Sequence, residues 1–470
     1  MLVRRHGLSV ALLTLATWHA AHARGVSPYL PLQVSPEIER QIERLLILAD
    51  QPIQTRPIAA ATVFDALPKA CERDAALCAE VKRYLAGYMR SVGIAYASLS
   101  AAATTGAAPA MPNRHGMNAD STYELGFGAY WQLNDYVLLN AGVIGNDTES
   151  APTGSVLSLG MEYAQLDVGY RDHWLSPLTD SSMLLGTEAS TMPSVTISNY
   201  TPLTRWRLRY EGFVAEMSES SRIAVEGGAV TTGKPRLGGL HLSIEPLPGW
   251  SIGVNRIMQF GGGSRTDGFG DFLDAFFNPS GADNTGTVAD FGNQAASFTS
   301  RFVMQTPVPF AVYFEYAGED TSTLSNLRLG NAALSLGVDL PSIGNDFSLT
   351  VEATEWQDGW YVHHIYGDGL RNDDHVVGHW GGDWRTAGDG VGGLSWMARF
   401  GWRPKFGGYV EATYRGIRNQ LYSGQPYEPG HDLDVRYSHR WGDFYVGAEL
   451  TNGRDVLGQS FTRLGGFIRF

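Results

Sequence analysis

Two hydrophobic rhythms divide the chain. Between Ser27 and about Arg90 apolar residues return every three or four positions, and from about Asn118 to Phe470 they return at every second position. In the first stretch Ser35 stands as an N-cap with Pro36 at the first helical position, and Ile38, Ile42, Leu45, Leu46 and Ala49 then fall on one face. A second helix is expected from near Pro57 to about Leu67, and a third from a cap at Asp74 with Leu77, Val81, Leu85 and Tyr88 along its stripe. Short amphipathic helices hide such stripes against one another, so this region reads as a small bundle.

The second rhythm is that of strands. Tyr123, Leu125, Phe127, Ala129, Trp131 and Leu133 alternate with Thr122, Glu124, Gly126, Gly128, Tyr130 and Gln132. After an Asn134-Asp135 turn, Val137, Leu139, Ala141 and Val143 share a face. Leu157, Leu159, Met161 and Tyr163 lead through a turn at Ala164-Gln165 into Leu166, Val168 and Tyr170, and Trp206, Leu208 and Tyr210 alternate with Arg207, Arg209 and Glu211. Further hairpins are expected at Pro246 to Gly249, Pro307 to Pro309, Pro404 to Gly408 and Trp441 to Asp443. Tight turns alternate with long segments such as Gly261 to Ala295 and Gln357 to Gly392, the asymmetry of an outer-membrane barrel with short periplasmic turns and long external loops. A soluble sandwich rarely carries loops of that length. At roughly 20 residues per strand and connection the chain allows about 14 to 18 strands. The fold class is therefore mainly β, a large antiparallel transmembrane β-barrel behind an N-terminal periplasmic α-helical bundle. Residues 24–117 would form the bundle with an Ala- and Thr-rich linker from Ser98 to Pro112, and residues 118–470 the barrel.

The two ends of the chain give an address. Met1 to Ala23 has a basic start at Arg4 and Arg5, an apolar run from Leu8 to Leu15 and the small-residue site Ala21-His-Ala23, which together read as a secretory signal peptide over 1–23 with a mature chain beginning at Arg24. Elsewhere no apolar run approaches the roughly 20 residues of a membrane helix. At the other end Leu464, Ile468 and Phe470 fall on one face of a strand and Arg463 and Arg469 on the other. A lipid-facing last strand ending in an aromatic resembles the terminal signal read by the bacterial barrel-assembly machinery, which implies the outer membrane.

Composition agrees with that address. Charged residues are only 18% of a glycine- and aromatic-rich chain, and a formal charge of −13 argues against nucleic acid as a partner. The two cysteines, Cys71 and Cys78, would meet an oxidising compartment and pair as a disulfide, the alternative being two buried thiols. On one continuous helix they would stand roughly 10 Å apart, too far to bridge. A pairing therefore requires a helix break, which Glu72-Arg73-Asp74 can supply. On the polar faces of the strands Glu124, Asp167, Arg171, Arg207, Arg209, Glu211, Glu245, Arg301, Glu315, Glu352, Arg399, Glu411, Arg436 and Glu449 mix both signs. Compensated charge of this kind points to a cross-linked or plugged interior, the alternative being solvated lumen residues.

The densest polar-aromatic run is Arg171-Asp-His-Trp-Leu-Ser-Pro177, followed by Ser181-Ser182 and by Met192-Pro193 ahead of a Val195-Thr-Ile-Ser198 strand. Together with His379-Trp-Gly-Gly-Asp-Trp-Arg385 near Gly388-Asp-Gly390, this run resembles the capsule-assembly Wzi family of outer-membrane proteins. The resemblance extends over the whole layout of signal, bundle, barrel and terminal Phe. It implies an 18-stranded barrel that binds capsular or extracellular polysaccharide in a lectin-like way and helps attach or assemble capsule at the cell surface.

A polysaccharide site needs flat aromatic faces for sugar rings and carboxylates, amides or guanidinium groups for hydroxyls. Trp174, Trp356, Trp360, Tyr361, Trp380 and Trp384, beside Arg171, Asp172, His173, Asp383 and Arg385, have that composition and are the candidate carbohydrate-binding residues. The competing reading for a barrel tryptophan is the interfacial girdle, which suits Trp131, Trp206 and Trp402 better. Arg171-Asp172 has a second reading as a lumen ion pair anchoring an infolded loop. His363, His364, Asp368, Asp373, Asp374, His375, His379 and Asp383 have metal-ligand chemistry but sit in Gly-rich loop sequence whose spacing fixes no shared face, so no metal and no cofactor are expected. Ser176, Ser181 and Ser182 near His173 lack the glycine-flanked turn of a serine nucleophile. The reading is a non-enzymatic surface factor, a monomer in contact with outer-membrane lipid and lipopolysaccharide. A channel for oligosaccharides or small solutes is the alternative, and an outer-membrane hydrolase a third.

Overall fold

Strands whose side chains alternate apolar and polar can satisfy both lipid and lumen only by closing on themselves. The computed structural model, which describes residues 25–32, 35–225, 228–277, 291–321, 329–420 and 426–470, shows that closure. The strands are β1 (Val92–Gly106), β2 (Tyr123–Asn134), β3 (Val137–Asn146), β4 (Val156–Met161), β5 (Ala164–Gly169), β6 (Ser194–Ser198), β7 (Arg209–Glu216), β8 (Arg236–Leu247) and β9 (Trp250–Phe260). They continue as β10 (Gly292–Met304), β11 (Phe310–Gly318), β12 (Ala333–Ile343), β13 (Phe347–Trp356), β14 (Gly393–Trp402), β15 (Tyr409–Asn419), β16 (Gly430–Trp441), β17 (Phe444–Arg454) and β18 (Ser460–Arg469). Each pairs antiparallel with its sequence neighbours, and β1 pairs with β18, with Leu99 opposite Ile468. Phe470 donates its backbone N–H to the Ala97 carbonyl at 2.7 Å, holding the end of the chain to the seam.

The outer surface is apolar: Leu125, Phe127, Val195, Leu336, Val351, Leu450 and Leu464 are all exposed. The inner surface carries buried Arg301, Glu315, Asp339, Glu352, Asp432 and Arg463, so the usual inside-out order of a soluble protein is reversed. Trp131, Trp206, Trp402 and Trp441 are exposed at the end bearing the short turns, the girdle position.

Among the described residues three α-helices precede the wall, α1 (Pro36–Leu48), α2 (Ala60–Arg73) and α3 (Ala75–Leu85). Their shared core joins Ile38, Ile42, Leu45 and Leu46 to Val63, Leu67 and Ala70 and to Leu77, Val81 and Leu85. Asp74 caps α3 by accepting the Leu77 N–H at 2.9 Å, and it is also the break that brings the Cys71 and Cys78 Cα atoms within 5.3 Å and permits their disulfide. Helix α2 outruns its expected end at Leu67 because Ala70 packs in the same core, which outweighs the local cost of Pro68. Both faces of α1 are covered. Its polar side enters the lumen, where Arg40 meets Asp339 at 2.8 Å and Thr350 at 2.9 Å, Glu43 pairs with Arg301, and Ser438 donates to Glu37 at 3.2 Å.

Three expectations are corrected. The stretch Ser98 to Pro112 is not a linker before the barrel, since β1 occupies Val92–Gly106 and the barrel begins there rather than at Asn118. Its run of Ala, Ser and Thr has too little hydrophobic contrast to display period two, yet small residues suit a strand as well as any once both edges are paired. The turn placed at Ala164-Gln165 lies at Glu162-Tyr163, and β7 starts at Arg209, because Thr204 and Arg207 take positive φ in the turn before it. The signal-peptide segment 1–23, and part of the Gly261 to Ala295 loop, lie outside the described residues.

Candidate functional site

At the end opposite the short turns, three long loops fold into the lumen: residues 107–122, 170–193 and 357–392. The 170–193 loop is tethered to strands around much of the wall. Asn255 of β9 donates to the Leu175 carbonyl at 3.0 Å, Arg301 of β10 to that of Pro177 at 3.1 Å, and Ser176 donates to Glu315 of β11 at 2.9 Å. Glu352 of β13 accepts the Thr179 and Asp180 N–H groups at 2.7 and 3.0 Å, and Arg399 of β14 donates to the Thr179 hydroxyl at 3.2 Å. Asp180 itself takes two bonds from Arg415 of β15, at 2.7 and 2.9 Å, and one from the Trp380 indole at 3.2 Å. Burial opposes a charged Asp180, but the Arg415 and Arg399 guanidinium groups outweigh it and hold its pKa below the ordinary carboxylate range.

The candidate carbohydrate residues form the fastening of this plug. Arg171 bridges Asp167 at 3.0 Å and Glu211 at 2.5 Å and lies over the Tyr29 ring, so it does anchor an infolded loop, although not through Asp172. Asp172 faces His115 of the 107–122 loop at 3.2 Å and accepts from Thr191 at 2.5 Å. His173 stacks on Phe213 and meets Glu211 at 2.7 Å, and Trp174 donates to the Leu178 carbonyl at 2.9 Å. In the 357–392 loop Trp380 and Trp384 meet edge to face, Trp384 donates to the Ala110 carbonyl at 3.0 Å, and Tyr361 donates to the Met183 carbonyl at 2.7 Å. Arg385 is spent on the carbonyls of Val391 and Trp360, and Asp383 on Arg371 at 2.7 Å.

The expectation that these rings present open stacking faces is corrected by their burial. Trp356, Trp360 and Trp380 are at most 2% exposed, and with Trp384 and Tyr361 they belong to one apolar cluster alongside Met183, Leu184 and Ile417. A ring enclosed on both faces has none left for a polymer outside the barrel. Polar-looking loop sequence concealed this, because its glycines let the chain fold back and bury the rings it carries. Gly378, for example, would bring a Cβ to 2.4 Å from the Met183 carbonyl oxygen.

The Asp- and His-rich stretch separates into distinct environments. His379 is buried with Ser395 at 3.0 Å, and burial lowers its pKa to about 4. His363 lies against His364, and burial lowers it to about 3. Among the described residues His375 and Asp383 meet in one group of three metal-ligand side chains, completed by Glu188 from the 170–193 loop. The serine near His173 is Ser194, at 3.3 Å from Nε2, rather than Ser176, Ser181 or Ser182. This gives a Ser194–His173–Glu211 chain, but both Ser194 and His173 are buried, and Ser194 sits on a regular strand without the sharp turn that exposes a nucleophile. Sequence reasoning missed Asp180, Arg415, His115 and Glu188. Their partners lie on other loops and strands, and the only signal present was their charge within apolar or glycine-rich surroundings.

Between the loop plug and α1 a chamber of about 260 Å³ remains, lined by Arg40, Arg56, His115, Asp180, Arg399 and Arg415. The lumen is thus obstructed at one end by the bundle and at the other by loops.

Residues 88–396 match the family model described as capsule assembly protein Wzi. The fold is similar to that of a solved Escherichia coli protein, Wzi, described as an outer-membrane protein involved in group 1 capsule assembly and a carbohydrate-binding β-barrel. The TM-score is 0.68 at 14% identity, covering 95% of this chain and 99% of that one. A 55.8 kDa Klebsiella pneumoniae protein from the cps region is 27% identical over 229 residues, which are 46% of this chain and 43% of that relative. The match therefore spans less than half the length of that curated relative.

Proposed function

This chain belongs to the capsule assembly protein Wzi family, and on that premise we propose that it binds capsular or extracellular polysaccharide at the outer rim of the barrel and helps attach it to the cell surface. The observation that carries this reading over a solute channel is the plug. A pore that conducts oligosaccharides needs a water-filled path, whereas here Asp180, Glu315 and Glu352 bind the infolded loop across the lumen and Arg40 and Glu43 bind the bundle. The polymer would meet exposed rim groups such as Arg222, Asp373 and Asp374, while Trp380, Trp384 and their neighbours act by keeping the rim in one shape. Its partners beyond polysaccharide would be outer-membrane lipid and lipopolysaccharide around the apolar belt and the barrel-assembly machinery, and it would work as a monomer.

Planar-bilayer recording of the purified protein separates the readings. No large steady conductance is expected, and a large open pore would overturn the proposal. Cells lacking the protein are expected to release polymer of normal length into the medium, and undiminished cell-associated polymer would count equally against it.

A further inference from the structure

Glu188, His375 and Asp383 differ from the ion pairs around them because they bring two carboxylates and one imidazole to a single point. One ligand atom from each lies within 4.8 Å of the other two. Asp383 Oδ1 accepts from Arg371 at 2.7 Å and from the Val376 N–H at 3.2 Å, while its Oδ2 faces His375 Nδ1 at 2.9 Å. Glu188 Oε2 accepts the Asn113 N–H at 2.5 Å. Its Oε1 has no hydrogen-bond partner among the described residues, although the side chain is 1% exposed. Arg371 thus bonds one of the two buried carboxylates, while the other keeps an oxygen with no donor.

We propose that Glu188, His375 and Asp383 bind one divalent transition-metal ion of the zinc class, which ties the 170–193 loop to the 357–392 loop. One imidazole and two carboxylates form a borderline N/O donor set, suited to zinc or its neighbours more than to calcium, which takes oxygen alone. Ligand bonds of about 2.0–2.2 Å in a tetrahedral site put neighbouring donors about 3.3–3.6 Å apart, so His375 Nδ1 and Asp383 Oδ2, at 2.9 Å, need only a small separation to take an ion between them. The supporting contacts are those a metal site needs, because the second oxygen of each carboxylate is fixed: Glu188 by the Asn113 amide, Asp383 by Arg371 and the Val376 amide. Asn113 also brings in the 107–122 loop, whose Gly116 N–H bonds the Glu188 carbonyl at 2.7 Å. All three infolded loops therefore meet at the ion. The site stands apart from the carbohydrate reading and can fail without it.

The test is a cobalt(II) titration of full-length protein, purified in detergent and stripped with a chelator. One equivalent is expected to bind with a visible d–d absorption band, zinc is expected to displace it, and Glu188→Gln and His375→Ala are each expected to abolish the one-equivalent uptake. Absence of stoichiometric uptake, or the same uptake in Glu188→Gln, overturns the proposal and leaves a proton shared between the carboxylates. Wild-type protein supplies a readout free of folding defects. Chelation should speed proteolysis within 357–392 and zinc should reverse it, whereas a rate indifferent to both would overturn the role in tying the loops.

Discussion

The helical bundle and the loop plug obstruct opposite ends of one lumen by different means. In the bundle Leu45, Val63, Leu67, Leu77 and Val81 pack within a few dozen residues of one another, and a disulfide staples the α2–α3 turn. In the plug the contacts span the chain: Asp180 meets Arg415 across 235 residues, Trp380 meets Asp180 across 200, and Trp384 meets Ala110 across 274. The bundle is built on an apolar core of the kind soluble proteins use, whereas the plug needs the finished wall to exist, because the ion pairs of Asp180 and Arg171 each take their partner from a strand. A local core forms by itself, but a loop fastened to strands around the wall orders only after the barrel closes.

The largest effect that would break this contrast is expected from Asp180→Ala. Removing that carboxylate takes Arg399's ion-pair partner and leaves Arg415 only Asp432 at 3.4 Å, and loss of one partner of a buried pair costs about 3–5 kcal/mol. The loss should fall on the plug. Fluctuating conductance in planar bilayers and faster proteolysis within 170–193 are expected, with the barrel still resistant to detergent unfolding. A silent bilayer with unchanged proteolysis would mean that the other wall tethers suffice without Asp180.

Legibility in the sequence follows the same division. The alternation from Tyr123 to Phe470 exposed the wall because lipid and lumen select opposite side chains at successive positions, and the α1 stripe exposed the bundle because its partners are equally close in sequence. Strand β1 escaped notice since Ala101, Ala102 and Ala103 present nearly the same side chain to both faces. The mixed charges on the strands correctly implied a cross-linked interior, yet which carboxylate meets which arginine is decided by strand register and loop path. The tryptophans were misplaced for a related reason. A Trp in a glycine-rich loop looks the same in sequence whether the loop reaches outward or folds inward, and here Trp360, Trp380 and Trp384 fold inward with His379 and Tyr361.

A smaller effect, on the other side of the comparison, is expected from replacing Cys71 and Cys78 together by serine. Closing so short a loop restricts the unfolded chain by about 2 kcal/mol in the entropic model, and that stabilisation would be lost from the bundle. Proteolysis between α2 and α3 should rise while the loop plug keeps its protection and the bilayer stays silent. Parallel loosening of both ends would show that the bundle and plug are coupled through the chamber between them rather than held independently.

The smallest expected effect concerns a single pair within the plug, His115 and Asp172, which joins the 107–122 loop to the 170–193 loop. Burial opposes a charged imidazole, but the charge and hydrogen bond of Asp172 outweigh it, so the pKa of His115 is raised; Glu124 adds to the rise and Arg114 works against it. Burial likewise opposes a charged Asp172, and His115, Thr191 and His173 overcome it, so that pKa is lowered. A raised histidine pKa gives stability that is complete below the unfolded value of about 6.5 and is lost as pH rises through the folded one. A lowered carboxyl pKa gives stability that is present above about 3.9 and is lost as pH falls through its folded value. The pair is therefore complete at about pH 5 and weakens above neutrality. Trypsin cleavage after Arg114, measured against His115→Gln at each pH, should be slowest relative to that variant in mild acid, with the difference closing as the solution becomes alkaline. If wild type and His115→Gln run parallel across the range, this pair does not fasten the 107–122 loop, and its other bonds, among them those from Asn113 and Gly116 to Glu188 and from Trp384 to Ala110, hold it without the pair.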